Sequence, residues 1–370
     1  MKNKFILIFL FFFVPIITKS GEVFAHVDKM IYLQGKVGEK TLVLKIKCYY
    51  ESPIRYLNYF FEDDKKDHYL EGSLLGNAWQ FNAVNNPNED INLVIREESD
   101  GNWKGFWRKG SKSKINLILT PIVISTDSNF YSFIQKKELD LYDAAKISLL
   151  HFENTKTEKF DKNFELEWFT EKESNISLFR LRCNDSKIKL DSINNNFTFL
   201  QLSLIQNYFH YNPNGNNSNF QIEITTLNES LISFKIISNS ILINGNTMKS
   251  QHFFNFDLKK GNSLVLEDII WFDGQNSQPE TDMMANYGYR KEVFAPKVFS
   301  ILNELYPQQM QNNDCNLNKE TNWTIPDFCI TKKGIQLCIT NSANCNLMEW
   351  AIIPFEKLEP YLLKKYQINR

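Results

Sequence analysis

The chain has 370 residues, enough for two or three domains of roughly 100–200 residues each. Its 42 basic and 43 acidic residues give a formal net charge of −1, which excludes the strongly basic footprint of a nucleic-acid-binding protein. Aromatic residues make up 14% of the chain, and they favour the half-buried strands of a pleated sheet. The composition therefore predicts a mainly β protein.

The N-terminal residues have the layout of a secretory signal peptide. Two lysines precede an unbroken apolar run at 5–17, and small residues then offer a cleavage site before His26 or before Gly21. A retained membrane anchor is the alternative, but this run is shorter than the roughly 20 residues that span a bilayer. We expect residues 1–25 to be removed, which leaves an exported, periplasmic or extracellular protein without a transmembrane anchor.

Region 26–160 is predicted to form an antiparallel β-meander domain. Short segments rich in apolar and aromatic residues recur there between turn residues, and several alternate at a period of two. The predicted strands lie at 31–35, 41–47, 56–61, 69–72, 93–95, 103–107 and 115–119.

A loose repeat marks three of these strands. A large apolar residue, any residue and a glycine occur in succession at Leu33-Gln-Gly35, Leu70-Glu-Gly72 and Trp103-Lys-Gly105. Glycine inside a strand is typical of a point where the strand bends or leaves the sheet. The repeat therefore predicts related hairpins whose strands bend at the glycines.

Region 161–370 is predicted to be an α+β domain, an antiparallel sheet packed with a helix. A helix at 139–152 precedes it, and strands are predicted at 164–169, 178–182, from 188 onward, 220–225, 231–238 and 240–243, with an exposed loop at 212–219. A second helix at 294–305 has its apolar residues on one face and ends before Pro307. A hairpin follows at 328–339.

Three segments of this region carry a family resemblance. They read FNFDLKKGNSLVLEDII at 254–270, FCITKKGIQLCI at 328–339 and WAIIPFEKLEPYLL at 350–363. Their order resembles a domain of unknown function found in the ectodomains of lysozyme-sensing anti-sigma factors and beside the catalytic domain of exported polysaccharide deacetylases. The resemblance implies a helix packed on an antiparallel sheet, and recognition of a cell-envelope protein or glycan without catalysis. It transfers no ligand-binding residue to this chain.

Four of the six cysteines lie close together in the sequence, namely Cys315, Cys329, Cys338 and Cys345. In an oxidising compartment their clustering and even number predict at least one disulfide, although four cysteines allow three pairings. Buried free thiols in apolar strands are the main alternative, and a zinc site is a further one.

Catalytic spacings are not found in the sequence. The five histidines are dispersed, and the segment 35–41, which superficially resembles a phosphate loop, is followed by a strand pattern where that loop needs a helix. The carboxylate pairs Glu97/Glu98 and Glu267/Asp268 are adjacent, and adjacent strand residues face opposite sides. We therefore predict no catalytic, cofactor-binding or metal-binding residues.

One aromatic and basic segment is a candidate ligand surface. Trp103, Trp107 and Arg108 could form a stacking platform, since tryptophan and arginine are enriched at binding hot spots. The alternative places both tryptophans in the core of the meander. The favoured function is a non-catalytic binding or sensing module for an envelope protein or glycan. A hydrolase acting on envelope polysaccharide and a subunit of a surface assembly are the other hypotheses.

The signal-peptide interpretation predicts the N-terminus of the mature protein. Mass spectrometry of protein purified from its native host should show the first 20–25 residues missing, because signal peptidase cuts after the small residues. A mature pool that begins at Met1 would contradict the prediction.

Overall fold

The computed structural model describes residues 27–49, 52–83, 90–126, 130–211, 219–241, 247–274, 286–311, 316–339 and 349–363. These residues form two compact units. The first contains the described residues up to Asp63 and from His68 to Val123, and the second contains Asp64–Asp67 and the described residues from Ile124 onward. The predicted signal segment 1–25, loop residues 212–218, Cys315 and Cys345 lie outside the described residues.

The first unit is a closed barrel of eight antiparallel strands in chain order. Alternate side chains point inward and fill the interior with leucine, isoleucine, phenylalanine and tryptophan. The meander predicted from the sequence is thereby confirmed. Its strands are β1 Val27–Val37, β2 Lys40–Tyr49, β3 Ile54–Phe61, β4 His68–Leu75, β5 Ala78–Ala83, β6 Ile91–Glu97, β7 Trp103–Lys109 and β8 Ile115–Pro121.

The three glycines of the sequence repeat lie in β1, β4 and β7 and face the barrel interior. Gly35, Gly72 and Gly105 pair with the core residues Leu119, Phe81 and Ile95 of neighbouring strands, respectively. A Cβ atom at any of the three would collide with that neighbour's main chain. The carbonyl oxygens in question belong to Ile118, Gln80 and Val94, respectively. Glycine at these positions therefore lets strands approach closely where the sheet curves into a barrel.

The second unit begins with two helices and two antiparallel sheets. Two helices precede a three-stranded sheet, a third helix follows it, and a four-stranded sheet with its strands in chain order comes next. The bounds are α1 Tyr131–Lys137, α2 Leu141–Ser148, β9 Phe152–Lys159, β10 Glu165–Glu171, β11 Ser177–Arg182, α3 Leu190–Tyr211, β12 Asn219–Leu227, β13 Leu231–Ile241, β14 Thr247–Asp257 and β15 Asn262–Ser263.

The boundary between the units differs from the one predicted at residue 160. The described residues between 124 and 160 belong to the second unit, because the apolar side chains of α1 and α2 pack in the core shared by α3 and the two sheets. Phe133, Ala144 and Ile147 are buried members of that core.

Helix α3 corrects the strand predicted from 188 onward. The segment is a helix of 22 residues, and its buried residues Ile193, Phe197, Leu200 and Leu204 recur at helical spacing on one face. The ring of Phe197 lies 5.2 Å from that of Phe179 and 5.5 Å from that of Phe234. Burial of one helix face between two sheets therefore outweighs the strand propensity of its aromatic and β-branched residues.

The remainder of the second unit contains the predicted helix and hairpin, which are both confirmed. A turn of π-helix at Arg290–Phe294 leads into the helix. The elements are α4 Tyr287–Tyr289, α5 Ala295–Leu305, α6 Pro307–Met310, β16 Asp327–Ile330, β17 Gly334–Cys338, β18 Ile352–Pro354 and α7 Phe355–Leu358. Strands β16, β17 and β18 form a third antiparallel sheet. Across the described part of the chain, no helix is long and apolar enough to cross a membrane.

Polar side chains join the hairpin sheet to the four-stranded sheet. Ser233 Oγ accepts a hydrogen bond from the Ile330 N–H at 2.9 Å and donates to Asn255 Oδ1 at 2.6 Å. Asn255 Nδ2 then donates to the Phe328 carbonyl oxygen at 2.7 Å. All of these groups are buried, so the network supplies the partners that buried polar atoms require.

The close strand contacts at the glycines lead to a stability prediction. Gly72→Ala should lower the free energy of unfolding by about 1–3 kcal/mol, because the added methyl group forces the strands apart. Ser73→Ala, one residue further along the same strand and on its other face, should stay within about 0.5 kcal/mol. Chemical denaturation of the whole chain measures both variants, and equal effects would contradict the role of glycine.

Candidate functional site

The barrel closes between its first and last strands over a short seam. The register of β1 with β8 runs through Leu33↔Pro121, Gln34↔Thr120 and Gly35↔Leu119, and among the described residues it ends there. Beyond Gly35, β1 continues in register with β2, whereas β8 continues in register with β7. The two strands therefore diverge from Gly35 onward and leave a fork in the barrel wall.

A groove of about 660 Å³ lies along this fork. Its volume is within the range of ligand pockets, roughly 300–1,000 Å³. One wall comes from β1 and the start of β2, and the other comes from β8. The lining residues are Gln34, Gly35, Lys36, Gly38, Thr41, Ile115, Asn116, Ile118 and Thr120.

The groove presents mixed chemistry to solvent. Ile115 and Ile118 are 38% and 63% exposed, which is unusual for isoleucine and gives the groove apolar contact area. Lys36 supplies one positive charge, while glutamine, asparagine and threonine side chains supply hydrogen-bond donors and acceptors. Such a lining can hold a ligand through apolar contact and several hydrogen bonds.

The main chain of β8 also faces the groove. The Ile122 N–H donates to the Tyr32 carbonyl oxygen at 3.3 Å, so the main-chain groups of Ile122 point toward β1. Main-chain direction alternates along an antiparallel strand, so those of Ile118 and Asn116 point the same way. Asn116 lies beyond the end of the β1–β8 register, so its main-chain N–H and C=O face the groove.

The residues of the predicted aromatic surface lie on opposite faces of β7. Trp103 and Trp107 are only 3% and 4% exposed, and the ring of Trp107 packs edge-on to that of Tyr59 at 5.2 Å inside the barrel. The tryptophans therefore belong to the core and do not form an exposed platform. Arg108 lies half-buried on the outer face, as does Phe106, which is opposite Asn116 across the strands.

A buried polar cluster centred on Asp67 lies in the second unit. The Asp67 carboxylate accepts hydrogen bonds from Tyr142 Oη at 2.5 Å, Lys146 Nζ at 2.6 Å and His210 Nδ1 at 3.0 Å. Burial alone would raise the pKa of Asp67, but hydrogen bonds from His210, Lys146 and Tyr142 and the charge of Lys146 outweigh it. The pKa falls to about 2.

The Asp67 cluster connects three elements of the second unit. Tyr142 and Lys146 come from α2, His210 comes from α3, and the Asp67 N–H donates to the Phe209 carbonyl oxygen of α3 at 3.5 Å. Because the carboxylate and the lysine are both almost fully buried, the pair fixes the packing of this segment. Across the described ranges, no group of three or more His, Cys, Asp or Glu could hold a metal ion.

A second buried ion pair involves Glu267, which belongs to the carboxylate pair Glu267/Asp268 identified in the sequence. Glu267 Oε2 accepts a hydrogen bond from Arg290 Nη2 at 2.7 Å, and both side chains are almost fully buried. Arg290 Nε donates to the other carboxylate oxygen, Glu267 Oε1, so the contact is bidentate. The pair therefore has a structural role between the turn at Leu266–Asp268 and the π-helical turn.

Two of the four clustered cysteines are described, and both are buried free thiols. Burial raises the pKa of the Cys329 thiol to about 12, and Gln251 Nε2 donates to Cys338 Sγ at 3.5 Å. The buried-thiol alternative therefore describes Cys329 and Cys338. The prediction of at least one disulfide among the four cysteines is untested for Cys315 and Cys345, which lie outside the described residues.

No local sequence pattern indicates the groove or the Asp67 cluster, because their residues are far apart along the chain. Lys36 and Asn116 are separated by 80 positions, and Asp67 and His210 by 143. The segment 35–41, rejected as a phosphate loop, forms the β1–β2 hairpin and one wall of the groove. Its turn residue Gly38 has a φ of 63°, as a tight hairpin turn requires.

Comparison with known proteins finds no matching family model and no similar curated protein. Among solved structures, a DUF3298 family protein from Pseudomonas aeruginosa PAO1 is similar at 15% sequence identity and a TM-score of 0.32. The match covers 58% of this chain and 92% of that protein.

The Asp67 cluster predicts a strong dependence of stability on one carboxylate. Asp67→Asn should lower the free energy of unfolding by about 3–5 kcal/mol, because it leaves Lys146 buried beside a neutral amide. Since the folded pKa of about 2 lies below the ordinary value of 3.8, this contribution is present above pH 3.8 and is lost as the pH falls toward 2.

Denaturant titrations between pH 2 and pH 7 measure the difference between the wild type and Asp67→Asn. The control is Asp63→Asn, which removes the exposed ion pair with Lys40 and should change stability by less than about 1 kcal/mol. A difference between wild type and Asp67→Asn that stays constant down to pH 2 would contradict the assignment.

Proposed function

We propose that this chain is an exported, non-catalytic binding module of the cell envelope, and that the groove at the β1–β8 seam holds its ligand. The observation that carries the proposal is the divergence of two barrel strands beyond Gly35. It creates a concave surface with exposed apolar side chains, amides and main-chain groups side by side. The ligand is an envelope protein or glycan.

The chemistry of the groove supports binding over turnover. Its lining consists of amide, hydroxyl, aliphatic and amine groups, with Lys36 as the titratable side chain among the described lining residues. General acid–base catalysis relies on groups such as histidine and carboxylates. The carboxylates of Asp67 and Glu267 are instead engaged in buried ion pairs with a structural role. The groove is therefore suited to hold a ligand by complementarity.

The rigidity of the wall supports the same role. Both sides of the groove are strands that remain hydrogen-bonded to β2 and β7, and the barrel interior beneath them is filled. A site on regular strands holds its groups in fixed positions and limits the entropy lost on binding. Export and envelope location rest on the signal-peptide pattern and on the resemblance to sensing ectodomains.

Binding to isolated cell-envelope fragments, which contain both the glycan and its envelope proteins, tests the proposal. The wild-type protein should bind saturably and release no soluble fragments, as followed by sedimentation and by chromatography of the supernatant. Ile118→Arg should weaken binding at least tenfold, about 1.4 kcal/mol, because a charge replaces the exposed apolar contact. Leu75→Arg is the matched control, since Leu75 is 60% exposed but lies outside the groove lining, and it should bind like the wild type.

Two outcomes would overturn the proposal. Release of fragments that one carboxylate or histidine substitution abolishes would identify a hydrolase. Equal binding by the wild type and Ile118→Arg would place the ligand elsewhere on the protein.

A further inference from the structure

We infer that the ligand in the seam groove is an extended, acidic polypeptide segment that adds to β8 as an antiparallel strand. The inference rests on the proposed function, because it names the class of ligand for the same groove. Addition of a strand to an exposed sheet edge is a general mode of peptide recognition, in which the main chain gives affinity and alternate side chains give specificity.

The main chain of β8 provides the template. Thr120 faces β1 and pairs with Gln34, while Asn116, on the same edge, lies past the point where β1 has turned away. β1 is the hydrogen-bonding neighbour of Thr120. An incoming strand that runs antiparallel to β8 can be the corresponding neighbour of Asn116. A glycan has no regular series of N–H and C=O groups with which to continue this ladder.

The side chains set the pattern of the incoming strand. Asn116, Ile118 and Thr120 alternate with the core residues Leu117 and Leu119, so they all lie on the outer face. Residues of the added strand that face outward would contact Ile118, which is 63% exposed, and a β-branched residue fits that position. The expected ligand therefore has apolar β-branched residues at every second position.

The charges around the open end of the groove favour an acidic ligand. Lys36 lines the groove, and Lys112 and Lys114 are exposed just before β8 begins. The nearby acidic residues are Glu39 in the β1–β2 turn, Glu62, whose N–H donates to the Thr41 carbonyl oxygen at 3.1 Å, and Asp63, which is paired with Lys40. With the Lys40–Asp63 pair set aside, three lysines stand against two glutamates. Lys114 Nζ lies 4.2 Å from the ring of Phe106, which holds its positive charge on the outer face. Acidic residues that alternate with the apolar ones would complement these lysines.

Three labelled heptapeptides with blocked ends test the inference on the full-length protein by fluorescence polarisation. The first alternates glutamate and valine, the second alternates lysine and valine, and the third is the first with N-methylated amides that cannot donate hydrogen bonds. The first should bind at least tenfold more tightly than either of the others. Lys36→Glu should reverse part of the charge preference, and Leu75→Arg should change nothing.

Amide hydrogen exchange reports the contact itself. At saturation with the glutamate–valine peptide, exchange of the Asn116 amide should slow at least fivefold, while the amides of the β4–β5 hairpin should exchange as before. This readout separates strand addition from loose electrostatic attraction to the lysines. Equal affinity for the N-methylated peptide, or unchanged exchange at Asn116, would overturn the inference.

The remaining outcomes distinguish this inference from the proposed function. One such outcome is that the protein binds protein-free sacculi but no peptide, and that Ile118→Arg abolishes the binding. That result would identify a glycan ligand, which refutes the inference and keeps the proposed function. Concentration-dependent dimers that Ile118→Arg abolishes would identify a second copy of this chain as the occupant, and would also refute it. Binding of both ligand types that is insensitive to Ile118→Arg would refute both.

Discussion

The close approach of neighbouring strands at three inward-facing glycines is the constraint on which the barrel depends. Gly35, Gly72 and Gly105 each sit where a Cβ atom would collide with the main chain of the next strand. Without a side chain there, the sheet can curve tightly enough to close around its filled interior. Gly35 is also the last residue paired across the seam, so the same constraint sets the point from which the groove opens.

The second unit relies on buried polar contacts in addition to its apolar cores. The Asp67–Lys146 and Glu267–Arg290 pairs are both almost fully buried, and each is supported by hydrogen bonds. Such pairs contribute little net stability compared with apolar packing, but loss of one partner is costly because the other charge stays buried. They therefore define which elements pack together, and their titratable groups are occupied by that role.

The two units thus differ in where their polar groups lie. In the second unit the charged groups described above are sequestered, whereas in the barrel the amides, hydroxyls and Lys36 of the groove are presented to solvent beside exposed isoleucines. A strand edge that is left partly unpaired usually has a device against unwanted pairing, and lysine is a common one. Lys36 and Lys114 fit that role, and the same charges would select an acidic strand as the partner.

The sequence by itself determined the local elements, because strand and helix periods are local properties. Alternation at a period of two located most of the barrel strands, the glycine repeat marked the positions of close strand approach, and the apolar face at 294–305 located α5. Only the tertiary structure decided that 190–211 is a helix, since its phenylalanines and isoleucines favour strands until two sheets bury one face. Likewise, barrel closure decided that the face of β7 with Trp103 and Trp107 turns inward. It also decided that the β1–β8 register is short. Closure is a property of all eight strands together, which is why no local pattern in the chain predicts the groove.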